Sequence, residues 1–464
     1  MLAMNSATMP KSDCFEIRLL DVAFERYRVC VSSVSAPPGP RGVPGLGVLP
    51  ALARDPLMTF SRARARYGDV VRLPVLNGSV YLLTHPDHVE HVLVTRNANH
   101  WKGRLFARAD FLLGNGLVLN EGESWNRQRR IVRPGFNGDR LRAATAAMLE
   151  VIGEQAERWR HAQAAGRSID MEAEMTTLTL DLMATAMLGV RLGHDELRTM
   201  GQAFTVVLKH LGLRLVTFAL PDWVPIPGEP RAKRALSTLD AMVDRMIEQP
   251  SHGDNLLGLL VSAWREGHMT RRQLRDEIMT MLFGGYEATA HALAWTWYLL
   301  DTHPKVGTRV RAEAMASEPG DTAELAYTNQ VINEVLRLYP PFWQMIRSSH
   351  EPDEIGGHTI PGGAVILLVP WLTHRLPEFW TDPLAFDPGR WAGGGQPAHR
   401  YAYYPFGAGV RQCMGRPLAL LEMQLVVSTL SRQFRPHCVG GRPVKARAQG
   451  TLRAHRGIPM VLQS

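Results

Sequence analysis

Helical periodicity across residues 123–350 is the feature that most constrains how this chain can fold. Apolar side chains recur there at the three- and four-residue spacing of a helix face. The segments with this pattern are 139–162, 171–189, 196–210, 231–248, 271–301, 303–315 and 325–339. Further helices are predicted near 56–67, from Pro86, and from just after Cys413 to about 433, whereas residues 219–230 are predicted to form a loop. The pattern therefore predicts a mainly α protein.

Smaller β-type segments flank this helical region. Asn77-Gly78 separates two short runs in DVVRLPVLNGSVYLLT, which indicates a hairpin, and residues 353–369 return to a strand pattern with glycine turns. Residues 35–50, rich in proline and glycine, are typical of a stiff extended segment. We expect a mainly α fold with a small β region, built as a single domain over residues 36–464. Residues 1–35 are expected to form an N-terminal tail. Three interpretations of this tail stay open: a mobile segment, a short amphipathic helix, or residues that precede the true start of the protein.

The charge of the chain is moderately basic, with a formal net charge of +8. This charge is typical either of a solvated surface or of a docking face for an acidic partner. No nucleic-acid-binding signature accompanies it, so we expect no nucleic-acid partner. The first 30 residues include Asp13, Glu16, Arg18 and Asp21, which excludes a signal peptide or a membrane span there.

Cysteine is scarce in this sequence. The four cysteines are too few for a disulfide framework at this length and fit a reducing compartment: Cys14, Cys30, Cys413 and Cys438. We therefore predict a soluble, cytoplasmic protein.

The segment IMTMLFGGYEATAHALAWTWYLL, residues 278–300, approaches the apolar length of a membrane span. Gly284, Gly285, Glu287 and His291 lie in its middle, so a buried central helix is the better interpretation. An ionisable group in such a helix is costly unless it is paired or used in catalysis. Glu287 and His291 are four residues apart, and a contact on one helix face is favoured over a metal pair because no third ligand lies nearby.

Cys413 lies in YPFGAGVRQCMGRPLALLEMQ, just before a predicted helix. The positive end of that helix would favour a thiolate, and its first backbone N–H groups can donate to the sulfur. Gly409 and Gly415 allow close approach of a flat ligand, Arg411 offers a cation for a carboxylate, and Phe406 can shield the sulfur. A heme with its propionates fits all of these features. The alternative is a small buried hydrophobe, while zinc is disfavoured because no second ligand has suitable spacing.

The Cys413 segment resembles the cysteine-ligand loop of the cytochrome P-450 family, FxxGxRxCxG, at all five fixed positions. In NEVLRLYPP, Glu334 and Arg337 are similar to the family's ExxR pair, and Arg390 of FDPGRW looks like the third member of its Glu-Arg-Arg cluster. The resemblance covers roughly residues 36–464. It implies the family fold, a triangular α-helical prism around heme b (iron protoporphyrin IX), with Cys413 as the ligand of the iron.

The resemblance also implies further heme contacts. ESWNRQRRIVRPGF is similar to the family's WxxxR helix, so Trp125 and Arg129 are expected to face the propionates, together with Arg347. Phe406, Arg411 and Cys413 complete the predicted cofactor-binding set.

The central helix resembles the oxygen-activating segment of the family, [A/G]-G-x-[D/E]-T-T, and here reads GGYEATA. Gly284 and Gly285 are expected to leave room beside the iron and to weaken the local helix ladder. Glu287 and Thr289 match the acid and the second threonine, and they are the predicted catalytic residues. Ala288 replaces the first threonine, while Thr289 points about 100° further round the helix. Because the family needs a proton donor beside the iron, we hypothesise delivery through the substrate or an ordered water.

No strand–GxGxxG–helix unit is present, so electrons are expected from an external ferredoxin or flavodoxin with its NAD(P)H reductase. Arginines in the two segments expected near the cysteine face could steer such an acidic partner: Arg127, Arg129, Arg130, Arg133 and Arg416.

The resemblance implies a monooxygenase that inserts one atom of O2 into an apolar or aromatic small molecule in specialised metabolism. Oxidative coupling, peroxide-driven oxidation and a non-catalytic heme protein remain alternatives. The candidate substrate contacts are mostly bulky and apolar, and core packing is the competing interpretation for each: Phe106, Phe111, Leu112, Phe283, Ala288, Phe342, Trp343 and Met345.

Overall fold

The computed structural model describes residues 36–76, 78–103, 105–216, 226–249, 253–441 and 443–463. The expectations for residues 1–35, and most of the loop predicted at 219–230, lie outside this part of the chain. The described residues form a mainly α structure with a small β region, as predicted.

The helices carry most of the described chain. They are α1 (Leu49–Arg54), α2 (Pro56–Tyr67), α3 (Pro86–Glu90), α4 (Asp110–Leu113), α5 (Gly122–Val132), α6 (Gly138–Ala164), α7 (Met171–Leu182), α8 (His194–Val216), α9 (Glu229–Ile247), α10 (Leu256–Arg265), α11 (Arg271–Thr302), α12 (Pro304–Ala316), α13 (Ala326–Leu338), α14 (Pro370–Thr373) and α15 (Arg416–Ser431). Each long segment predicted from periodicity is confirmed, with ends that differ by a few residues.

Local sequence explains several helix starts. Asp55 caps α2 by accepting the N–H of Met58, and Pro56 occupies its first position. Thr270 and Gln273 form a reciprocal capping box at the start of α11. Helix α7 ends sooner than the pattern predicts, because its last part, Met183–Met187, widens into a π-helical turn.

The strands are short and lie mainly at three places in the chain. They are β1 (Val70–Val75), β2 (Gly78–Leu83), β3 (His100–Trp101), β4 (Ile169–Asp170), β5 (Met345–Ser349), β6 (Asp353–Ile355), β7 (His358–Ile360), β8 (Val365–Leu368), β9 (Arg435–Cys438), β10 (Ala446–Ala448), β11 (Leu452–Ala454) and β12 (Pro459–Gln463). The largest sheet has the order β1-β2-β8-β5-β3, and the β1–β2 hairpin pairs Val75 with Gly78 at its end. The predicted hairpin is therefore confirmed.

Helix α11 passes through the main apolar core. Trp295 and Trp297 on this helix are among the largest fully buried side chains, and Trp297 packs edge-to-face on Trp159 of α6. Helices α7, α13 and α15 pack around α11, so the helix that carries the predicted oxygen segment contacts the helix that follows Cys413. Among the described residues, no helix combines the length and apolar character that crossing a bilayer requires.

Candidate heme-binding site

The segment before α15 forms a tight loop around Cys413. The N–H of Cys413 donates to the carbonyl oxygen of Phe406 over 3.0 Å, which folds the loop back on itself. Gly409 has a φ of +66°, and a Cβ placed on it would lie 1.9 Å from the carbonyl oxygen of Leu93. Only glycine fits this close approach, so the glycine spacing of the motif has a direct steric cause.

The Cys413 thiol faces the start of α15. Backbone N–H groups of Gly415 and Arg416 donate to the sulfur, and the Arg129 guanidinium adds a nearby positive charge. The residue keeps solvent access, yet the burial contributed by surrounding protein atoms raises the pKa of the thiol and outweighs these donors. The predicted donors are thus present, but the expectation of a lowered pKa is wrong for the protein alone. A bound metal cation supplies the missing stabilisation, because coordination deprotonates a thiol.

A cluster of cations lies behind this loop. Arg411 forms an ion pair with Glu121 and also donates to the carbonyl oxygen of Asn120 over 2.8 Å. Lys102 lies close enough to Arg411 and Arg347 for these charges to act on it, and its backbone N–H donates to Glu121 over 3.0 Å. Burial, reinforced by the neighbouring arginines, lowers the pKa of Lys102 to about 7 and that of Arg347 to about 10.

The cluster holds three cations, Lys102, Arg347 and Arg411, against the single carboxylate of Glu121. Partly buried positive charge in such excess is costly unless an anion neutralises it. The propionates of heme b are anions of this kind, and the thiol donor lies in the same loop as Arg411. The residues present therefore fit heme b. Lys102 and Glu121 were not predicted from the sequence, because neither lies inside a motif that marks it.

Trp125 organises the arginines of this site. Its ring is buried, with the Arg411 guanidinium carbon 3.9 Å from the ring centroid and that of Arg129 at 5.1 Å. Arg129 also reaches the carbonyl oxygen of Gln412 at 3.5 Å. Trp125 and Arg129 therefore share one face of α5, as their spacing predicts.

The predicted Glu-Arg-Arg cluster is confirmed as a buried network. Arg337 donates to both carboxylate oxygens of Glu334 over 2.8 Å, and Arg390 donates to one of them over 2.9 Å. Glu334 and Arg337 are completely buried, and the Trp391 indole N–H also donates to Glu334, over 3.0 Å. Arg337 additionally binds the carbonyl oxygens of His374, Pro383 and Ala385, so the cluster anchors the chain that leads to the cysteine loop.

The middle of α11 presents an open face at two positions one turn apart, Gly284 and Ala288. Gly284 is exposed and Ala288 half-buried, whereas most of α11 is buried. A Cβ on Gly284 would meet nothing within 4 Å, but one on Gly285 would lie 2.6 Å from the sulfur of Met183. The prediction that both glycines leave room is therefore right for Gly284 only. Helix α11 also runs without interruption, so the space comes from small side chains and not from a weakened ladder.

Glu287 faces a buried ionic network. One carboxylate oxygen accepts from Thr451 over 2.8 Å and from Arg453 over 2.5 Å, and lies 3.4 Å from a ring nitrogen of His291. Although burial alone would raise it, the charges of His291 and Arg453 hold the pKa of Glu287 well below its usual value. The other ring nitrogen of His291 lies 2.9 Å from Glu172. The predicted helix-face contact of Glu287 with His291 is confirmed, and no group of metal ligands occurs within the described ranges.

The candidate substrate contacts fall in different surroundings. Phe106 and Phe111 lie on the short helical segment that ends in α4, half-buried, and Phe283 is half-buried next to Gly284. Phe342 is exposed. Trp343 packs against Phe60 in a separate core, with its indole N–H bonded to the carbonyl oxygen of Gln449, so its position favours core packing. Two further candidates are Leu112, which is fully buried, and Met345, which is half-buried in β5. Thr289, the predicted catalytic residue, is buried one position beyond Ala288.

Comparisons with known proteins agree with this site. The sequence model described as "Cytochrome P450" matches residues 37–457. Cyclooctat-9-en-7-ol 5-monooxygenase of Streptomyces melanosporofaciens is 33% identical over 440 residues, which cover 90% of this chain and 95% of the relative. Pentalenene oxygenase of Streptomyces avermitilis is 29% identical, covering 85% of this chain and 90% of the relative.

A solved structure has the same fold. Retinoic acid-bound cyanobacterial CYP120A1 superposes with a TM-score of 0.81 at 25% identity, covering 93% of this chain and all of that one. The family match, the cysteine loop and the buried cationic cluster agree with one another. The chain belongs to the cytochrome P450 family and is a monooxygenase whose cofactor is heme b.

Proposed function

We propose that this monooxygenase oxidises an apolar, unsaturated carbocyclic small molecule in specialised metabolism. Two similar proteins are named for oxidising cyclooctat-9-en-7-ol and pentalenene, an alkenol and an alkene. The apolar side chains around the open face of α11, among them Phe283, support the same chemical class. The observation that carries the proposal is this open, uncharged face beside the helix that follows Cys413.

Named residues have separate roles in the proposed site. Cys413 would bind the heme iron through its thiolate, while Lys102, Arg347 and Arg411 would hold the propionates. When bound, heme b supplies the activation of dioxygen and the transfer of one oxygen atom to the substrate. Gly284 and Ala288 leave space for dioxygen and the substrate.

The proposed activity can be tested by a substrate screen. Heme-loaded protein is titrated with alkenes and alkenols while the spin state of the iron is followed by absorption spectroscopy. Compounds that shift the spin state are then incubated with a reducing system and O2, and the products are analysed. Products that carry one added oxygen atom support the proposal. Spin-state shifts without any oxygenated product would instead favour a ligand-binding heme protein.

Proton supply is the second part of the proposal. Glu287 and Thr289 remain predictions as catalytic residues. A relay through Glu287 would use its second carboxylate oxygen, which has no partner among the described residues, because the first accepts from Arg453. Ala288 has no hydroxyl at the open face, so a proton would arrive through an ordered water or a substrate hydroxyl. The missing hydroxyl at position 288 also favours two alternative reactions, oxidative coupling and peroxide-driven oxidation, because both demand less activation of dioxygen.

Ala288→Thr tests the proton route. We expect this variant to direct a larger share of the consumed NAD(P)H into product and less into hydrogen peroxide, since the new hydroxyl can donate a proton. Product, peroxide and NAD(P)H are measured in one reconstituted assay. Ala288→Val is the matched control, because it has the shape of threonine without the hydroxyl. Unchanged coupling and product for every substrate analogue would contradict the hypothesis.

Electron delivery is the third part of the proposal, with an acidic ferredoxin or flavodoxin as the donor. Four of the five arginines predicted near the cysteine face are exposed, and none of the four forms an ion pair in the described structure: Arg127, Arg130, Arg133 and Arg416. Arg129, Arg130 and Arg133 also line an open cleft of about 630 Å³ together with Met414, the neighbour of Cys413. Unpaired positive charge around a cleft next to the thiol supports docking of an anionic protein there.

Charge reversal at Arg130 and Arg133 tests this surface. Arg130→Glu with Arg133→Glu is expected to slow reduction by an acidic ferredoxin about tenfold or more at low salt, because steering is lost. Stopped-flow reduction is followed across a salt series, in which the wild-type rate should fall as ionic strength rises. Arg62→Glu with Arg66→Glu, two exposed positions of α2, is the charge-matched control. A wild-type reduction rate that does not change with salt concentration would contradict this docking surface.

A cytoplasmic location stays a prediction from the few cysteines.

A further inference from the structure

A polar pair on α8 has no role in the function described above. His210 and Arg214 lie one turn apart on this helix, and His210 is only 5% exposed. The Nδ1 atom of His210 and the Nε atom of Arg214 are both buried without a hydrogen-bond partner among the described residues. Buried polar atoms are nearly always paired, so two neighbouring exceptions indicate a missing partner.

The hydrogen bonding of His210 determines what this partner must be. His210 donates a ring N–H to the carbonyl oxygen of Pro227, and the unpaired ring atom is Nδ1, so the proton lies on Nε2. In the neutral ring Nδ1 is then an acceptor. Burial and the Arg214 charge lower the pKa of His210, which keeps the ring neutral. Nε of Arg214 carries a hydrogen and can only donate.

Phe111, a predicted substrate contact, packs against both members of this pair. Its ring stands edge-on to His210 at 5.9 Å, and the Arg214 guanidinium carbon lies 5.0 Å from the ring centroid. Access to the two polar atoms requires rotation of the half-buried Phe111 side chain, a common change at binding sites. Phe111 is itself a predicted substrate contact, so a substrate that displaces the ring would meet the polar pair directly.

The pair lies on a helix that also contacts α11. Helix α8 touches α11 where Phe204 packs on Tyr286, with ring centroids 5.0 Å apart. His210 follows Phe204 by six residues, or about 9 Å along the helix axis. Glu229 and Lys233 of α9 add charge near His210, but they are paired with each other over 2.9 Å.

We propose that His210 and Arg214 bind a hydroxyl group of the substrate, at the end away from the carbon that is oxidised. A hydroxyl accepts a hydrogen bond from Arg214 and donates one to His210 at the same oxygen, as the water that it would displace also does. The site thus selects alcohols over the corresponding hydrocarbons. This inference rests on the proposed apolar substrate class and narrows it to hydroxylated carbocycles.

The test uses three ligands of similar shape: cyclododecane, cyclododecyl methyl ether and cyclododecanol. The hydrocarbon forms no hydrogen bond, the ether can only accept one, and the alcohol accepts and donates. Isothermal titration of the heme-loaded protein is expected to show affinity rising at each step by about two- to tenfold, the range for one hydrogen bond.

Two variants assign the steps to the two residues. His210→Phe should remove the advantage of the alcohol over the ether, and Arg214→Met should remove the advantage of the ether over the hydrocarbon. Affinity for cyclododecane should persist in both variants. Lys209→Gln is the control. Lys209 is an exposed neighbour on α8, so this substitution removes a positive charge from the helix and leaves His210 and Arg214 unchanged. If one variant fails to take up heme, the other still tests its own step.

The outcomes separate this inference from the proposed function. Equal affinities for the three ligands in wild type overturn the hydroxyl site but leave the apolar substrate class intact. An affinity series that survives in both variants also overturns it, since other residues would then bind the oxygen. No binding of any ligand, with the thiolate spectrum intact, overturns the apolar substrate class and the hydroxyl site together.

Discussion

Cys413→Ala is expected to abolish the thiolate spectrum and the monooxygenase activity together. The reduced carbonyl complex of the wild-type protein should show the strongly red-shifted Soret band of a thiolate-ligated heme, and the variant should lose it. The reason is that no other described cysteine lies near the cationic cluster. Product formation in the reconstituted assay should fall below detection, because heme without its thiolate loses the electron donation that favours O–O cleavage.

Cys438→Ala is the matched control for this experiment. Cys438 is half-buried in β9, and its backbone N–H donates to Asp301 over 2.9 Å, a bond that survives the substitution. The control should keep both the spectrum and the activity. A Cys413→Ala protein that takes up heme and keeps the red-shifted band would contradict the assignment of the iron ligand, and with it the proposed mechanism.

Glu334→Gln is expected to destabilise the protein by about 3–5 kcal/mol, the cost of leaving buried charges unpaired. Two arginines donate to this carboxylate, and Arg337 has no exposed surface through which water could replace it. Because Arg337 also binds backbone carbonyls ahead of the cysteine loop, we expect weaker heme retention as well. Urea denaturation and heme transfer to apomyoglobin measure the two effects.

An exposed pair of the same spacing provides the control. Glu157 and Arg160 are three residues apart on α6, like Glu334 and Arg337, but their side chains are 58% and 50% exposed. Glu157→Gln should change the free energy of unfolding by less than about 0.5 kcal/mol. Equal denaturation midpoints for the two variants would show that burial of the cluster contributes nothing to stability.

Local patterns in the sequence predicted most of the fold, because the ends of helices and the turns of hairpins are determined by residues close in sequence. Helix α2 begins and ends where the pattern places it, since Asp55, Pro56 and Gly68 are local signals. The β1–β2 hairpin follows in the same way from Asn77-Gly78. Helix α10 was not predicted, because its ten residues, LLGLLVSAWR, are fewer than the window over which helical periodicity can be recognised.

The candidate site was predictable only where a motif marks the residues. Cys413, Arg411 and the Glu334 cluster lie in such motifs, and the structure brings Arg411, Trp125 and Arg129 together. Lys102 and Glu121 join them through folding alone, because Glu121 meets Arg411 across 290 positions of sequence. The direction of the Glu287 side chain was equally hidden, since its partner Arg453 lies in the short β-rich tail.

The bond between Glu287 and Arg453 has a consequence for the order in which the protein is assembled on the ribosome. The two residues are 166 positions apart, so the central helix is synthesised long before its guanidinium partner emerges from the exit tunnel. Until then, an ionised Glu287 cannot leave water without a large penalty. Final closure of the interior around α11 therefore waits until β11 has been synthesised and reaches the core.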